Sequence, residues 1–316
     1  MFTIKSILIP TDFSEGAKQA LDQANYLAER YGATLHILNV LKDDVFDLGD
    51  AYDALLEREL EFNEQLRKES ETKLNAAVPS TPFQDVTYVR AQLRSYDVAE
   101  GIVRYAKDHD VDLIVLGKRP RRRSGLPLIG GTVEHVLRHT ECPVLTVSAT
   151  ETSRIDREVK KILVPVDFSS FSTDQLTNAR ELAGAYGASI DLLHVIDESS
   201  LAVVYGLESA FNFDDLRNRA RAASEKLIDE SEGPDVNIEI FVTVGHPAKD
   251  AVEFAEEHKS DLVVISTHGR SGIRRFFMGS VAEKVMRLSE PMVLTLTSFG
   301  KSLLTKSQSV EAGYSV

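Results

Sequence analysis

The chain has 316 residues and a formal net charge of −13, with 43% hydrophobic and 27% charged residues. This length predicts about two domains, and the composition is typical of a folded globular protein. The acidic charge argues against nucleic acid or an anionic membrane as the main partner, and the apolar runs are too short to span a bilayer. Because no secretory signal pattern is evident and Cys142 has no partner for an internal disulfide, we expect a cytoplasmic protein.

The first half of the chain alternates between strand and helix patterns. Residues 6–10 form a β-rich run, and Ser14 is a candidate N-cap for a helix that reaches Tyr31 and stops at Gly32. Further patterns predict strands at 34–40, 85–90, 112–116 and 143–147, and helices at 50–77, 97–108 and 132–139. This alternation predicts a parallel sheet with helices on both faces.

The second half repeats the first. Residues 5–14 (KSILIPTDFS) and 160–169 (KKILVPVDFS) share seven of ten positions, and YGATLHILNV at 31–40 matches YGASIDLLHV at 186–195. The second half predicts strands at 161–165, 188–195, 236–243, 261–265 and 292–296, and helices at 170–186, 207–231, 247–258 and 280–289. A repeat of about 150 residues is a domain rather than a solenoid unit.

We therefore predict two doubly wound α/β domains in tandem, each with five mainly parallel strands, related by a pseudo-twofold axis. The domains are placed at 1–149 and 160–298, with a polar linker at 150–159 and a flexible tail at 299–316.

Two segments of each domain should meet at the carboxyl edge of its sheet, where open parallel sheets bind ligands. One segment ends strand one, at Asp12 and at Asp167, and the other is the loop after strand four. In the second domain this loop contains Gly269 and Gly279-Ser280, with nearby positive charge from Arg270, Arg274 and Arg275. Glycines allow a close approach to an anion, and a helix N-terminus favours phosphate. An aspartate across the cleft could accept hydrogen bonds from ribose, so the pattern indicates a nucleotide.

Simpler interpretations stand beside this one. An aspartate after a strand is often an N-cap or turn residue, and glycine-rich loops are often only turns. No G-x-G-x-x-G motif follows strand one. The basic run at 119–123 is either a solvated loop or an anion contact, and His135, His139 and Cys142 have the spacing of a metal site, although a buried structural cysteine is more common.

At these motifs the chain resembles the universal stress protein family, as two family domains in tandem. The resemblance covers nearly all of residues 1–297 and is carried by ILIPTDFS, ILVPVDFS, STHGRSG with the following FMGSVAEKV, and CPVLTV. It implies that the final strands, near 143–147 and 292–296, pair the two domains.

Nucleotide-binding members of that family carry Gly, two residues, Gly, nine residues, then Gly-Ser or Gly-Thr. The second domain matches at Gly269 and Gly279-Ser280, with Ser266 in place of the first glycine. The resemblance implies that Asp167 and the Val195 backbone hold adenosine and that the loop and helix start hold phosphates. The candidate residues in the second domain are Pro165, Val166, Asp167, Val195, Ile265, Ser266, Gly269, Gly279, Ser280 and Val281.

The first domain is predicted to be a weaker site, because Pro120 stands where the second glycine belongs and proline has no N–H. Gly117 matches the first glycine, and Gly131-Thr132 matches Gly279-Ser280 after one extra residue. The candidate residues of the first domain are Pro10, Thr11, Asp12, Val40, Gly117, Gly131 and Thr132.

We expect a stress-response regulatory protein that binds an adenine nucleotide, namely ATP, mainly in the second domain, with a role for Mg²⁺ left open. No catalytic residue and no tightly bound metal are expected. An unknown protein partner and a further homodimer are left open. The alternatives are a nucleotide-free scaffold with degenerate clefts and, ranked last for want of a general base or nucleophile, a slow ATPase or phosphotransferase.

Overall fold

A computed structural model describes residues 2–43, 53–77, 86–118, 130–148, 159–199, 213–269, 278–297 and 300–304. The first domain consists of β1 (Ser6–Pro10), α1 (Glu15–Tyr31), β2 (Thr34–Lys42), α2 (Asp53–Ala77), β3 (Thr87–Ser95), α3 (Val98–Asp108), β4 (Leu113–Lys118), α4 (Gly131–His139) and β5 (Val144–Ser148). The second consists of β6 (Lys161–Val166), α5 (Ser172–Tyr186), β7 (Ser189–Asp197), α6 (Phe213–Glu230), β8 (Ile238–Gly245), α7 (Pro247–Glu257), β9 (Leu262–Ser266), α8 (Ser280–Leu288) and β10 (Met292–Leu296). The predicted α/β alternation is confirmed.

The two predicted five-stranded sheets join into one ten-stranded sheet, in the order β3-β2-β1-β4-β5-β10-β9-β6-β7-β8. Among the named strands, pairing is parallel within each domain and antiparallel where the final strands β5 and β10 meet, with Leu145 opposite Leu294. The strand order therefore reverses between β1 and β4, and again between β6 and β9. In open α/β sheets these switch points are where a crevice opens at the carboxyl ends of the strands.

The hydrophobic core makes the two domains one packed body. On one face of the sheet a single cluster of buried residues includes members of both domains, such as Leu27 and Leu145 from the first and Leu182 and Leu294 from the second. The same face carries a stacked pair of rings, Tyr26 of α1 and Tyr186 of α5, with centroids 4.9 Å apart. Burial of apolar surface across this joint stabilises the pair as a unit.

Local signals placed several helix ends correctly. The Ser14 side chain accepts a hydrogen bond from the Ala17 N–H at 3.3 Å, and Gly32 ends α1 in the left-handed conformation, with φ 64°. Pro247 occupies the first turn of α7, as predicted. The predicted helix starts at 50–52 and 207–212 lie outside the described residues.

The main difference lies in the strand predicted at 85–90, which is found as β3 at Thr87–Ser95 and pairs along its whole length with β2. Most of its residues are half-buried or exposed because β3 is an edge strand, so its carboxyl half carries little apolar signal.

The start of the predicted tail packs on the first domain. Leu304 forms an antiparallel bridge with Phe2, so residues 300–304 run against the N-terminal segment, whereas the tail was predicted to be flexible throughout 299–316. Leu303 is buried, which gives this segment its apolar anchor. Residues 305–316 lie outside the described part of the chain. Among the described helices, none combines the length and apolar character needed to cross a bilayer.

Candidate functional site

The second-domain candidate site begins where β6 ends. The Asp167 carboxylate accepts hydrogen bonds through Oδ1 from the Ser169 N–H at 3.0 Å and the Ser172 hydroxyl at 3.4 Å. Between Asp167 and Ser169, Phe168 adopts φ 56°, which turns the chain sharply toward α5. These contacts fix the carboxylate at the carboxyl edge of the sheet.

Asp167 and Gly269 lie in direct apposition. A Cβ added to Gly269 would overlap Asp167 Oδ2, so no larger residue fits here without moving the carboxylate. Gly269, three residues after β9, therefore lies directly against the end of β6. This approach brings the two predicted segments, which are far apart in sequence, to one point in space.

The N-terminus of α8 is anchored beside them. The Gly279 N–H donates to the Thr267 carbonyl at 2.7 Å, and the Thr267 N–H donates to the Leu296 carbonyl at 2.9 Å. Gly279 is the N-cap and has no side chain that could cap the first helical turn. The N–H groups of Ser280, Val281 and the following residue are therefore the ones that an anion would meet. The arginines predicted to lie nearby, Arg270, Arg274 and Arg275, are outside the described residues.

The strand ends beneath this edge are held by side chains that the sequence analysis did not single out. The Gln175 amide donates from Nε2 to the carbonyls of Pro165, at 2.7 Å, and Val264, at 3.0 Å. His194 donates from Nδ1 to the Val166 carbonyl at 2.9 Å. Both residues sit in regular elements without a motif, so only the folded arrangement identifies them as supports of this edge.

The remaining predicted residues of this domain are strand residues of that same edge. Val195 and Ile265 are buried, and Ser266, the last residue of β9, pairs with Leu296 of β10. Their backbone atoms are what a ligand at this edge would meet.

The first domain repeats the turn after its first strand. Asp12 Oδ1 accepts from the Ser14 N–H at 3.0 Å, and Phe13 has φ 63°, as Phe168 does in the second domain. The Asn39 amide donates to the Thr11 carbonyl at 2.8 Å, which fixes the end of β1 (Ser6–Pro10). Val40 continues β2 beside it and packs on the first-domain core.

Gly117 has a packing role that the sequence analysis did not foresee. A Cβ at Gly117 would overlap the Gly16 carbonyl and lie 2.7 Å from the Ala17 nitrogen, both in the first turn of α1. In the second domain the matching helix begins later, at Ser172, and the matching position is Ser266. The glycine at 117 therefore lets α1 begin early and lie against β4.

The first-domain counterpart of Gly279 is Gly130. Gly130 is the N-cap of α4, with φ −63° and ψ 144°, against φ −59° and ψ 145° at Gly279. The pair Gly131-Thr132, predicted as the match of Gly279-Ser280, lies one residue further along. The sequence spacing indicates the correct match, because Gly130 follows Pro120 by the same ten positions that separate Gly279 from Gly269.

The other sequence candidates can be placed only in part. The His135 and His139 rings lie 4.2 Å apart, and the Cys142 thiol is buried 3.1 Å from the Thr140 hydroxyl. Burial raises the pKa of the Cys142 thiol to about 11, which disfavours the thiolate that binds metal. Within the described residues, no three His, Cys, Asp or Glu side chains are grouped for a metal ion. The basic run at 119–123 lies outside them.

Comparison with known proteins agrees with this architecture. The sequence profile of the Universal stress protein family matches residues 3–148 and 158–296. A universal stress protein of Methanocaldococcus jannaschii is 32% identical over 141 residues, which cover 43% of this chain and 81% of that protein. One from Synechocystis is 24% identical over 311 residues, or 92% of this chain and 99% of that one. The crystal structure of a universal stress protein from Archaeoglobus fulgidus shares the fold over 92% of this chain and 98% of its own, with TM-score 0.59 and 18% identity.

Both halves of the chain match the same family profile, and a full-length relative and a full-length fold match share the two-domain arrangement. The chain belongs to the universal stress protein family, as a tandem of two family domains.

Proposed function

We propose that this protein is a stress-response regulator whose second domain binds an adenine nucleotide, with ATP as the expected ligand. The observation that carries the proposal is the meeting of Asp167 with Gly269 at the sheet edge where the Gly279 N-cap is also anchored. The arrangement supports a ligand with a polar sugar or base at one end and an anion at the other. Family membership supports the same class of ligand.

The proposed contacts divide the ligand in two. Asp167 and the backbone of Val195 hold adenosine, because a carboxylate and strand-edge peptide groups are acceptors and donors for its polar edges. The phosphates meet the backbone at Gly269 and the first turn of α8, where N–H groups and the helix dipole favour negative charge. A Mg²⁺ ion carried by the nucleotide would reduce phosphate repulsion without needing a protein ligand set.

The described side chains at this edge fit binding better than turnover. Asp167 Oδ1 is engaged by Ser169 and Ser172 in a turn, and His268 Nδ1 lies 2.9 Å from the Thr267 hydroxyl. Groups that serve to order the loop are poorly suited to transfer a proton to a reacting atom. We therefore propose that occupancy of the cleft, and not a reaction, is the output, through a population shift of the protein's conformers.

The first test is to denature freshly purified protein, identify any released nucleotide by chromatography, and titrate stripped protein with MgATP. We expect about one ATP per chain. Asp167→Ala should weaken binding about tenfold or more, because a hydrogen bond to a charged group is worth roughly 1.5–3 kcal/mol. The matched control is Asp12→Ala in the first domain, which should leave the stoichiometry unchanged.

A nucleotide-free scaffold is the second candidate, and the packing of Gly117 against α1 favours it for the first domain. Failure of wild-type protein to bind any adenine nucleotide saturably, with no thermal shift on adding MgATP, would extend that function to the whole chain and reject the nucleotide proposal.

A further inference from the structure

The structure holds an unusual contact between the domains, centred on Lys118. This lysine is the last residue of β4, is only 7% exposed, and lies in the first domain. Its ammonium donates to the carbonyls of Ser289, at 2.7 Å, and Pro291, at 3.1 Å, in the second domain. Ser289 is the C-cap of α8, so a buried positive charge from one domain caps a helix of the other.

The neighbouring strand β5 also binds the turn after α8. Ser148 pairs with Lys118 at the end of the β4–β5 ladder, and its hydroxyl donates to the Glu290 carbonyl at 2.7 Å. Three successive carbonyls after α8, at 289, 290 and 291, are therefore all held by the first domain. A turn with three carbonyls bound in this way has little freedom to shift.

The other end of α8 is the candidate phosphate cradle. Its nine residues run from Ser280 to Leu288, so the two ends are about 13 Å apart at 1.5 Å per residue. A cation at the C-terminus of a helix and an anion at its N-terminus each interact favourably with the helix dipole, and the two opposite charges also attract each other directly. Because Lys118 is buried, its charge is screened less by solvent than that of a surface lysine.

The lysine itself is not repeated by the pseudo-twofold axis. The position that matches Lys118 in the second domain is Thr267, whose backbone binds Leu296 and Gly279 of its own domain. By contrast, the Ser148 contact is repeated, because the Thr297 hydroxyl lies 3.3 Å from the Glu141 carbonyl. A lysine ammonium therefore contacts the C-terminus of α8 from the first domain, and the second domain has no matching lysine.

We propose that the buried positive charge of Lys118, which the first domain places at the C-terminus of α8, strengthens the binding of nucleotide phosphates at the N-terminus of that helix in the second domain. This inference rests on the proposed function and deepens it, because it gives the degenerate first domain a role in binding. The two domains then form one binding unit, in which the first domain supports the anion site without occupying it.

The test compares ATP with adenosine in titrations of the full-length protein carrying Lys118→Met, with wild type titrated first. We expect ATP affinity to fall about three- to tenfold while adenosine affinity changes less than twofold, because the buried lysine attracts the charged phosphates and adenosine carries no charge. Lys118→Gln keeps a hydrogen-bond donor but removes the charge, so it should show the same selective loss of ATP affinity. This variant also serves as the test if the methionine variant does not fold.

Two controls separate charge from mechanics. Ser148→Ala loosens the same turn and should lower the melting temperature without changing the ratio of ATP to adenosine affinity. Lys249→Met removes an exposed positive charge on α7 and should change neither. If Lys118→Met lowers ATP and adenosine affinity equally, or leaves ATP affinity unchanged, the role of Lys118 is refuted and the proposed function is not. If the wild-type protein binds no nucleotide, both the proposed function and the role of Lys118 are refuted.

Discussion

Gly117→Ala tests whether this glycine is required for packing. Gly117 belongs to β4 and has no positive φ, so alanine can adopt its backbone conformation. The obstacle is space, because the new methyl group would overlap the Gly16 carbonyl and sit 2.7 Å from the Ala17 nitrogen. These are backbone atoms of a helical turn and cannot swing aside as the end of a flexible side chain would.

The expected cost follows from these contacts. Forcing an extra carbon into a packed site destabilises proteins by typically 1–3 kcal/mol, and a clash with helix backbone belongs at the upper end. Replacing glycine also restricts the unfolded chain, which returns about 0.4–1 kcal/mol. The net loss in the free energy of unfolding should therefore be about 2 kcal/mol.

Denaturant unfolding, followed by circular dichroism, measures this difference. The matched control is Gly131→Ala at the start of α4, where an added Cβ would meet nothing within 4 Å. The control should be neutral or slightly stabilising. If the two variants unfold at the same denaturant concentration, the packing explanation of Gly117 is wrong.

Two further predictions concern buried ionisable groups. Burial raises the pKa of the Cys142 thiol to about 11, so only about one thiol in a thousand is ionised at pH 8. A thiol-reactive disulfide reagent should therefore react far more slowly with the native protein than with the protein unfolded in urea. Equal reaction rates would contradict the buried position of the thiol. Burial also raises the pKa of Asp191, and nearby cations only partly oppose it, so the ionised carboxylate costs stability as pH rises through its folded-state pKa. Asp191→Asn should therefore raise the melting temperature more at pH 7 than at pH 4, and the opposite trend in paired melting curves would refute this sign.

Much of the fold could be predicted because its signals are local. Apolar runs of strand length and a helical stripe between Ser14 and Gly32 need only neighbouring residues to be interpreted. The internal repeat then supplied the second domain, and the family resemblance supplied the pairing of the final strands β5 and β10, which the structure confirms and shows to be antiparallel.

The residues that were missed act over long sequence distances. Nothing near Gly117 in the sequence indicates that Gly16, about a hundred positions earlier, needs its space. In the same way, Lys118 lies next to a basic run and resembles one more surface charge, yet it is buried against Ser289. Gly130 differs from these two, because its spacing from Pro120 was visible in the sequence and was passed over for the Gly-Thr pair that follows.

The two domains differ in the residues at two consecutive positions, 117 and 118, and at their matches at the end of β9. At the end of β4, Gly117 admits α1 and Lys118 reaches the other domain, whereas at the matching end of β9, Thr267 holds the Gly279 N-cap of its own domain. A symmetric homodimer must place the same residue at both equivalent positions. Fusion of the two domains removes that constraint, so one strand end can serve as support while the other keeps the geometry of a binding edge. Under the proposed function, this division allows the first domain to lose the phosphate-loop pattern while Lys118 still supports the anion site of the second.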